Sequence, residues 1–138
     1  MLVWTMFKLH PQLKNDLIPI GKFSLSQLFL LPDSDNPWVV LVPEVEATKE
    51  WHHLSIEAQT SLQSEINLVS EFFEKKFTPD KINIGSLGNM VPQLHIHIIG
   101  RFKDDKAWPG AIWGTKAGSD QEILAKWCQL LKSEFFPC

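Results

Sequence analysis

Two histidines and a glutamine alternate with apolar residues near the middle of the chain and could perform polar chemistry on one surface. Residues 91–101 alternate polar and apolar types, which predicts a single β-strand. Gln93, His95 and His97 would then share one strand face, with successive side chains about 6.6–6.8 Å apart. The opposite face would belong to the core and carry Leu94, Ile96 and Ile98.

The residues just before this strand predict an anion site beside the histidines. Gly85 and Gly88 allow the backbone to approach a ligand closely, and successive N–H groups in such a turn can surround an anion. Asn83 and Asn89 add amide donors in the same short stretch. A neutral imidazole next to a bound anion is typical of phosphoryl chemistry, in which histidine acts as the nucleophile.

Apolar runs and turn residues indicate the elements that must position these groups. Two short strands are predicted at 25–31 and 38–42, separated by a turn rich in proline, aspartate and asparagine. A further strand is predicted at 81–85, directly before the glycine loop.

Two amphipathic helices complete the pattern. Ser55 can cap a long helix that ends before Pro79, and Ser119 with Glu122 forms a capping box for a terminal helix. Strands, a helix, more strands and a final helix predict an α+β domain built on a mainly antiparallel sheet. A chain of 138 residues has the length of one ordinary domain, so we predict a single domain over residues 1–138.

Composition narrows the classes of partner and location. The net charge is -3 and Arg101 is the only arginine, so the chain has no basic stripe for long nucleic acid. No apolar stretch is long enough for a membrane span, and the first residues do not resemble a secretion signal, which predicts a cytoplasmic protein. Cys128 and Cys138 match neither a disulfide framework nor a metal-ligand spacing. The six tryptophans favour self-association.

The segment resembles the histidine triad (HIT) family, whose signature is three histidines alternating with apolar residues. Gln93 occupies the first triad position, and His95 falls on the middle, nucleophilic one. The likeness extends to a strand ending in Pro43 and to a carboxy-terminal Trp-Pro-Gly, and it covers roughly residues 25–114. Together with Gly88-Asn89 before the triad, these features are similar to a bacterial branch of the family in which the glutamine is normal.

The resemblance implies a HIT-like fold with a mainly antiparallel five-stranded sheet, two main helices and a homodimeric assembly. It also implies a nucleotide or nucleoside phosphate as ligand, with hydrolysis or transfer at its α-phosphate and no cofactor. His95 would form a covalent nucleotidyl-histidine, which water then cleaves. His97 and Gln93 would assist catalysis. The phosphate and ribose contacts would come from a further set: Asn83, Gly88, Asn89 and Asp33, the last for the ribose hydroxyls.

Two departures from the family pattern bear on activity. Gln93 cannot take up and release a proton near neutral pH as histidine can, so proton transfer through that position is lost. Met90 stands where the family commonly has a serine or threonine hydroxyl that serves the leaving group. Substrates with a poor leaving group are therefore expected to react slowly.

Two alternatives remain open from the sequence. His95 and His97 could bind a metal ion with a third ligand from His52 or His53. The chain could also be a catalytically weak or inactive nucleotide-binding module. An enzyme without a metal is the main hypothesis, because a metal site would leave the glycine loop unexplained.

Overall fold

The computed structural model describes residues 6–138 as one five-stranded antiparallel sheet with helices on both of its faces. The strands are β1 (Ile18–Lys22), β2 (Ser26–Leu30), β3 (Trp38–Pro43), β4 (Lys81–Gly85) and β5 (Ile96–Arg101), in the spatial order β1-β2-β3-β5-β4. The helices are α1 (Pro11–Asp16), α2 (Ile56–Phe77) and α3 (Gln121–Phe135), and a 3-10 turn spans Trp51–His53. The predicted α+β class and its antiparallel five-stranded sheet are confirmed.

The centre of the sheet is buried on both faces, which explains why β3 is apolar without alternation. All six residues of β3 are buried. Val39 and Leu41 face the core beneath α2 and α3, whereas Trp38, Val40 and Val42 belong to a second apolar cluster on the other face. That second cluster also contains Leu13, Leu17, Phe29, Ile99 and Ile112, so α1 and the segment after β5 cover it. A strand covered on both faces favours a continuous run of β-branched and large apolar residues.

The long helix follows the sequence prediction closely. Ser55 accepts a hydrogen bond from the backbone N–H of Ala58 at 3.1 Å, and α2 ends at Phe77, with Thr78 in the left-handed conformation. Its buried stripe includes Leu62, Ile66, Val69 and Phe73. Helix α2 therefore packs against the sheet, including the strand β5 that carries His97.

Three predictions about elements are corrected. The strand expected at 91–101 begins only at Ile96, because the residues before it lie outside the sheet ladder. The cap of α3 is Asp120 rather than Ser119, since its carboxylate accepts from the N–H groups of Glu122 and Ile123. Helix α1 and strand β1 were not predicted, because α1 has only 6 residues and the pattern of β1 is interrupted by Pro19 and Gly21.

Among residues 6–138 no helix is both long and apolar enough to cross a membrane. Trp4, one of the six tryptophans of the sequence analysis, lies outside the described residues.

Candidate active site

The two histidines lie at the start of β5 with their rings in contact. His95 immediately precedes the strand and His97 is its second residue, and each is only 8% exposed. The ring centroids are 5.1 Å apart at an interplanar angle of 62°. On the other side the three alternating apolar residues belong to the core beneath the helices, as predicted: Leu94, Ile96 and Ile98. Alternation along the strand thus places a polar pair opposite an apolar core.

A backbone carbonyl sets the protonation pattern of His95. The Nδ1 atom lies 2.7 Å from the carbonyl oxygen of Gln93. A carbonyl can only accept a hydrogen bond, so Nδ1 carries the proton and donates it. In the neutral ring the remaining nitrogen, Nε2, therefore keeps its electron pair. This is the protonation pattern that a nucleophilic imidazole requires.

His97 has the opposite pattern. The indole Nε1 of Trp38 donates to Nδ1 of His97 at 2.9 Å, and an indole N–H can only donate. Nδ1 is therefore the acceptor, and the ring proton is on Nε2. Burial, and after it the neighbouring His95, lower the pKa of His97 to about 4. His97 is neutral near pH 7 and can donate from Nε2.

Two tryptophans enclose His97, and the sequence analysis did not place either against it. The ring of Trp113 meets His97 edge-on, with centroids 5.6 Å apart, and is 6.2 Å from the ring of Trp38. Gly85 makes room for this arrangement, because a Cβ there would lie 3.1 Å from Cη2 of Trp113. The ring of Trp113 therefore contacts His97 of its own chain.

Asn83 shares the histidine face through the pairing of β4 with β5. Asn83 lies opposite Ile99 and Gly85 opposite His97, and residues paired in this way point to the same side of a sheet. Nη1 of Arg101 donates to Oδ1 of Asn83 at 2.8 Å, which fixes the orientation of the amide and directs its Nδ2 donor away from Arg101. Asn83 thus presents its amide on the same side of the sheet as His97.

A buried ion pair supports that asparagine. Nε of Arg101 lies 2.8 Å from Oδ2 of Asp105, and the two side chains are 2% and 3% exposed. The hydrogen bond from Arg101 holds the pKa of the Asp105 carboxyl well below its usual range. Asp105 also accepts from the backbone N–H groups of the following turn, so the only arginine of the chain serves to build the site's scaffold.

The glycine loop joins the end of β4 to His95, as the sequence predicts. Gly88 has φ +68°, a conformation that favours glycine. Asn89 is exposed, and Met90 is 95% exposed. Because β4 ends opposite His97, this loop lies at the same end of the sheet as both histidines.

The side chain of Gln93 binds the chain's own backbone. Its Oε1 accepts from the N–H of His10 at 2.8 Å, and its Nε2 donates to the carbonyl of Lys8 at 2.8 Å. Gln93 and His95 both lie before β5, so of the three side chains expected in a row on one strand face only His97 belongs to the strand. The catalytic role expected for Gln93 stays a prediction.

Asp33 lies in a buried ion pair. The carboxylate is 1% exposed, its Oδ2 lies 2.6 Å from Nζ of Lys106, and its Oδ1 accepts from the N–H groups of Asp35 and Gly118. This placement indicates a structural role in joining three loops. The ribose contact of Asp33 stays a prediction.

The four histidines of the alternative metal hypothesis do not form one cluster. His52 and His53 form the exposed 3-10 turn, where their rings contact one another. Across residues 6–138 no group of three histidine, cysteine, aspartate or glutamate side chains is placed to hold a metal ion. The structure therefore gives His95 and His97 no third ligand of these types.

Known proteins share both the pattern and the architecture. A family model described as the HIT domain matches residues 12–104. A histidine triad protein from Bradyrhizobium japonicum is 36% identical with a TM-score of 0.89, and covers 94% of this chain and 98% of its own. One from Sinorhizobium meliloti is 40% identical with a TM-score of 0.87, covering 94% and 97%, and one from Marinobacter aquaeolei is 39% identical with a TM-score of 0.86, covering 94% and 98%. No curated protein matches the chain.

Proposed function

The chain belongs to the histidine triad family, and from that premise we propose that it hydrolyses or transfers a nucleotidyl group at the α-phosphate of a nucleoside phosphate derivative. Members of the family are generally nucleotide-binding hydrolases and transferases. The observation that carries the proposal is the hydrogen bond between Nδ1 of His95 and the carbonyl of Gln93, because it leaves Nε2 unprotonated. The expected assignment to a bacterial branch with glutamine at the first triad position stays a prediction.

The proposed reaction has two displacements at one phosphorus atom. Nε2 of His95 donates its electron pair to the α-phosphorus, a P–N bond forms, and the bond to the leaving group breaks with its electron pair on that group. Water then attacks the same phosphorus and releases a proton to solvent, and the P–N bond breaks with its electron pair returning to Nε2. The products are the released leaving group and a nucleoside monophosphate.

The neighbours of His95 stabilise the charge that moves onto the phosphate oxygens. The Nε2–H of His97, the amide of Asn83 and the N–H groups around Gly88 and Asn89 are neutral donors at one end of the sheet. Donors that are fixed before the reaction lower the barrier most, because they need no reorganisation.

Gln93 and Met90 restrict the substrate in this proposal. The amide of Gln93 cannot protonate a leaving group, and no hydroxyl stands at position 90 to serve it. Substrates whose leaving group departs without a proton from the protein should therefore react faster than nucleotidyl amines of high basicity.

We also propose that two copies associate through β4. This strand lies at the edge of the sheet, and exposed apolar side chains accompany it: Ile84, Leu87 and Met90 at 51%, 43% and 95% exposure. Unpaired strand edges with apolar neighbours favour pairing with another chain. The cytoplasmic location expected from the sequence remains part of the proposal, and the free thiols of Cys128 and Cys138 agree with a reducing compartment.

One observation favours a second candidate, a nucleotide-binding module with little turnover. His95 and His97 are each only 8% exposed, and the amide at the first triad position is already hydrogen-bonded within the chain. Such a protein would bind a mononucleotide without forming a covalent bond to it.

The test is to incubate the protein with an adenylylated amine or a dinucleoside polyphosphate and to follow both the protein mass and mononucleotide release. We expect a nucleotidyl adduct on His95 that disappears in His95→Ala. His53→Ala is the matched control, since His53 is an exposed histidine outside the site, and it should retain the adduct. Binding without an adduct or turnover would support the module instead, and turnover that persists in His95→Ala would reject the nucleophile.

A further inference from the structure

We propose that Gln93 is a positioning residue that ties the amino-terminal segment to the loop carrying His95 and thereby holds His95 in its nucleophilic form. The consequence for catalysis depends on the proposed function, but the consequence for His95 itself does not. Nothing in the sequence pattern around the triad indicates this role, because the partners are 83 and 85 residues away.

Both polar ends of the Gln93 amide are used by one short stretch of backbone. Oε1 accepts from the N–H of His10 and Nε2 donates to the carbonyl of Lys8, each at 2.8 Å. These two backbone groups flank Leu9, so the side-chain amide bonds to them as a residue in a parallel sheet bonds to its neighbouring strand. A primary amide presents its acceptor and donor side by side, which allows both bonds at once.

The stretch that Gln93 holds is itself firmly anchored. His10 caps α1, because its Nδ1 accepts from the N–H of Gln12 at 3.1 Å. Leu13 and Leu17 are buried against the same apolar cluster as Trp38, and Phe7 and Leu9 pack onto that cluster. Through these contacts the segment is fixed to the face of the sheet on which the histidines lie.

The loop before β5 needs such an anchor because it lies outside the sheet ladder. In the peptide unit between Gln93 and Leu94, the N–H of Leu94 donates to Thr48 at 2.9 Å and the carbonyl of Gln93 accepts from His95. That carbonyl determines which nitrogen of His95 carries the proton. The Thr48 bond fixes one side of the peptide unit, and the side chain of Gln93 fixes the residue on the other side.

Glutamine suits this position better than histidine would. The two ring nitrogens of an imidazole point in divergent directions, so one ring cannot bond both Lys8 and His10 on the same side. The substitution at the first triad position therefore exchanges a group that can transfer protons for a group that can join two backbone segments.

The experiment uses three variants of the full chain. Gln93→Met keeps the length of the side chain and removes both bonds, whereas Gln93→Glu keeps the acceptor for His10 and loses the donor to Lys8. Gln59→Met is the matched control, since Nε2 of Gln59 also donates to a backbone carbonyl, that of Leu54 at 3.0 Å, near the start of α2. Nitrogen NMR reports the tautomer of His95 without substrate, and hydrogen exchange reports protection of the His10 amide.

We expect wild type and Gln59→Met to hold His95 with its proton on Nδ1. In Gln93→Met we expect a mixture of both tautomers and exchange at the His10 amide about tenfold faster, because local opening no longer breaks a hydrogen bond. Gln93→Glu should give a tautomer mixture and an exchange rate between those of wild type and Gln93→Met. The kcat should drop roughly ten- to a hundredfold in Gln93→Met with KM within about twofold, since a misplaced nucleophile loses orientation rather than binding.

An unchanged His95 tautomer in both Gln93 variants overturns the proposal, whatever the kinetics show. If wild type has no turnover, the proposed function fails, but the NMR and exchange measurements still decide the role of Gln93. Gln93→Glu provides the decisive comparison should Gln93→Met not fold.

Discussion

The low pKa of His97 predicts that the protein loses stability between neutral pH and pH 5 through a single side chain. An unfolded histidine titrates near pH 6.5, whereas burial and the neighbouring His95 lower the pKa of folded His97 to about 4. Between these values the unfolded chain binds a proton that the folded protein does not. The free energy of unfolding is therefore fully maintained above pH 6.5 and decreases as the pH falls toward 4.

The size of the effect follows from that difference. At 1.36 kcal/mol per pKa unit, the complete loss is about 3 kcal/mol, and about 2 kcal/mol of it falls between pH 7 and pH 5. The Asp105 carboxyl does not contribute in this range. Its pKa is lowered by Arg101 from 3.8, so its stabilisation is lost only at more acidic pH.

Urea unfolding of wild type and His97→Asn at pH 7 and pH 5 tests this reasoning. Oδ1 of an asparagine can still accept from Nε1 of Trp38, which limits the structural damage of the substitution. We expect His97→Asn to lack the loss of about 2 kcal/mol on acidification. His53→Asn is the control, since that exposed histidine should leave the wild-type pH dependence intact. Equal losses in wild type and His97→Asn would refute the assignment.

Three further predictions concern the scaffold and the site. Arg101→Met leaves the charge of Asp105 buried and unpaired, so the free energy of unfolding should fall by about 3–5 kcal/mol in urea denaturation, and a loss under 1 kcal/mol would contradict the buried ion pair. Gly88→Ala should cost about 1–2 kcal/mol because φ is +68°, and an unchanged unfolding midpoint would exclude the left-handed turn. Trp38→Phe removes the donor to Nδ1 of His97, so NMR should show a mixture of the two neutral tautomers of His97. A ring proton still confined to Nε2 would show that another group sets the tautomer.

The sequence predicted the parts of the fold that depend on local patterns. The apolar spacing of α2 and its Ser55 cap, the strand at 81–85 and the α+β class all follow from short-range periodicity and turn residues. The alternation of Leu94, Ile96 and Ile98 also identified the core side of the histidine strand. These features depend on neighbours within a few positions, which a sequence shows directly.

The start of β5 could not be located from alternation alone. Residues 91–95 have a strand-like pattern, but their backbone groups bond outside the ladder, for example Leu94 to Thr48. Likewise, Asp33 stands among turn residues in the sequence, and the structure buries it against Lys106, 73 residues away. In both cases a contact with a residue distant in sequence determines the local structure, and short-range sequence patterns do not indicate such a contact.

The chemistry of the site depends on distant contacts even more strongly than the fold does. His95 and His97 are the same residue type, two positions apart, yet their protons lie on different ring nitrogens. In His95 the carbonyl of Gln93 keeps the proton on Nδ1 and leaves Nε2 unprotonated. In His97 the indole of Trp38, 59 residues away, occupies Nδ1, so the proton is on Nε2. In the proposed reaction, one ring attacks phosphorus while its neighbour donates to a phosphate oxygen. The His-x-His sequence supplies both rings, but the groups bonded to them determine their different protonation. Substitutions at Gln93 and at Trp38 should therefore separate nucleophilic attack from phosphate binding.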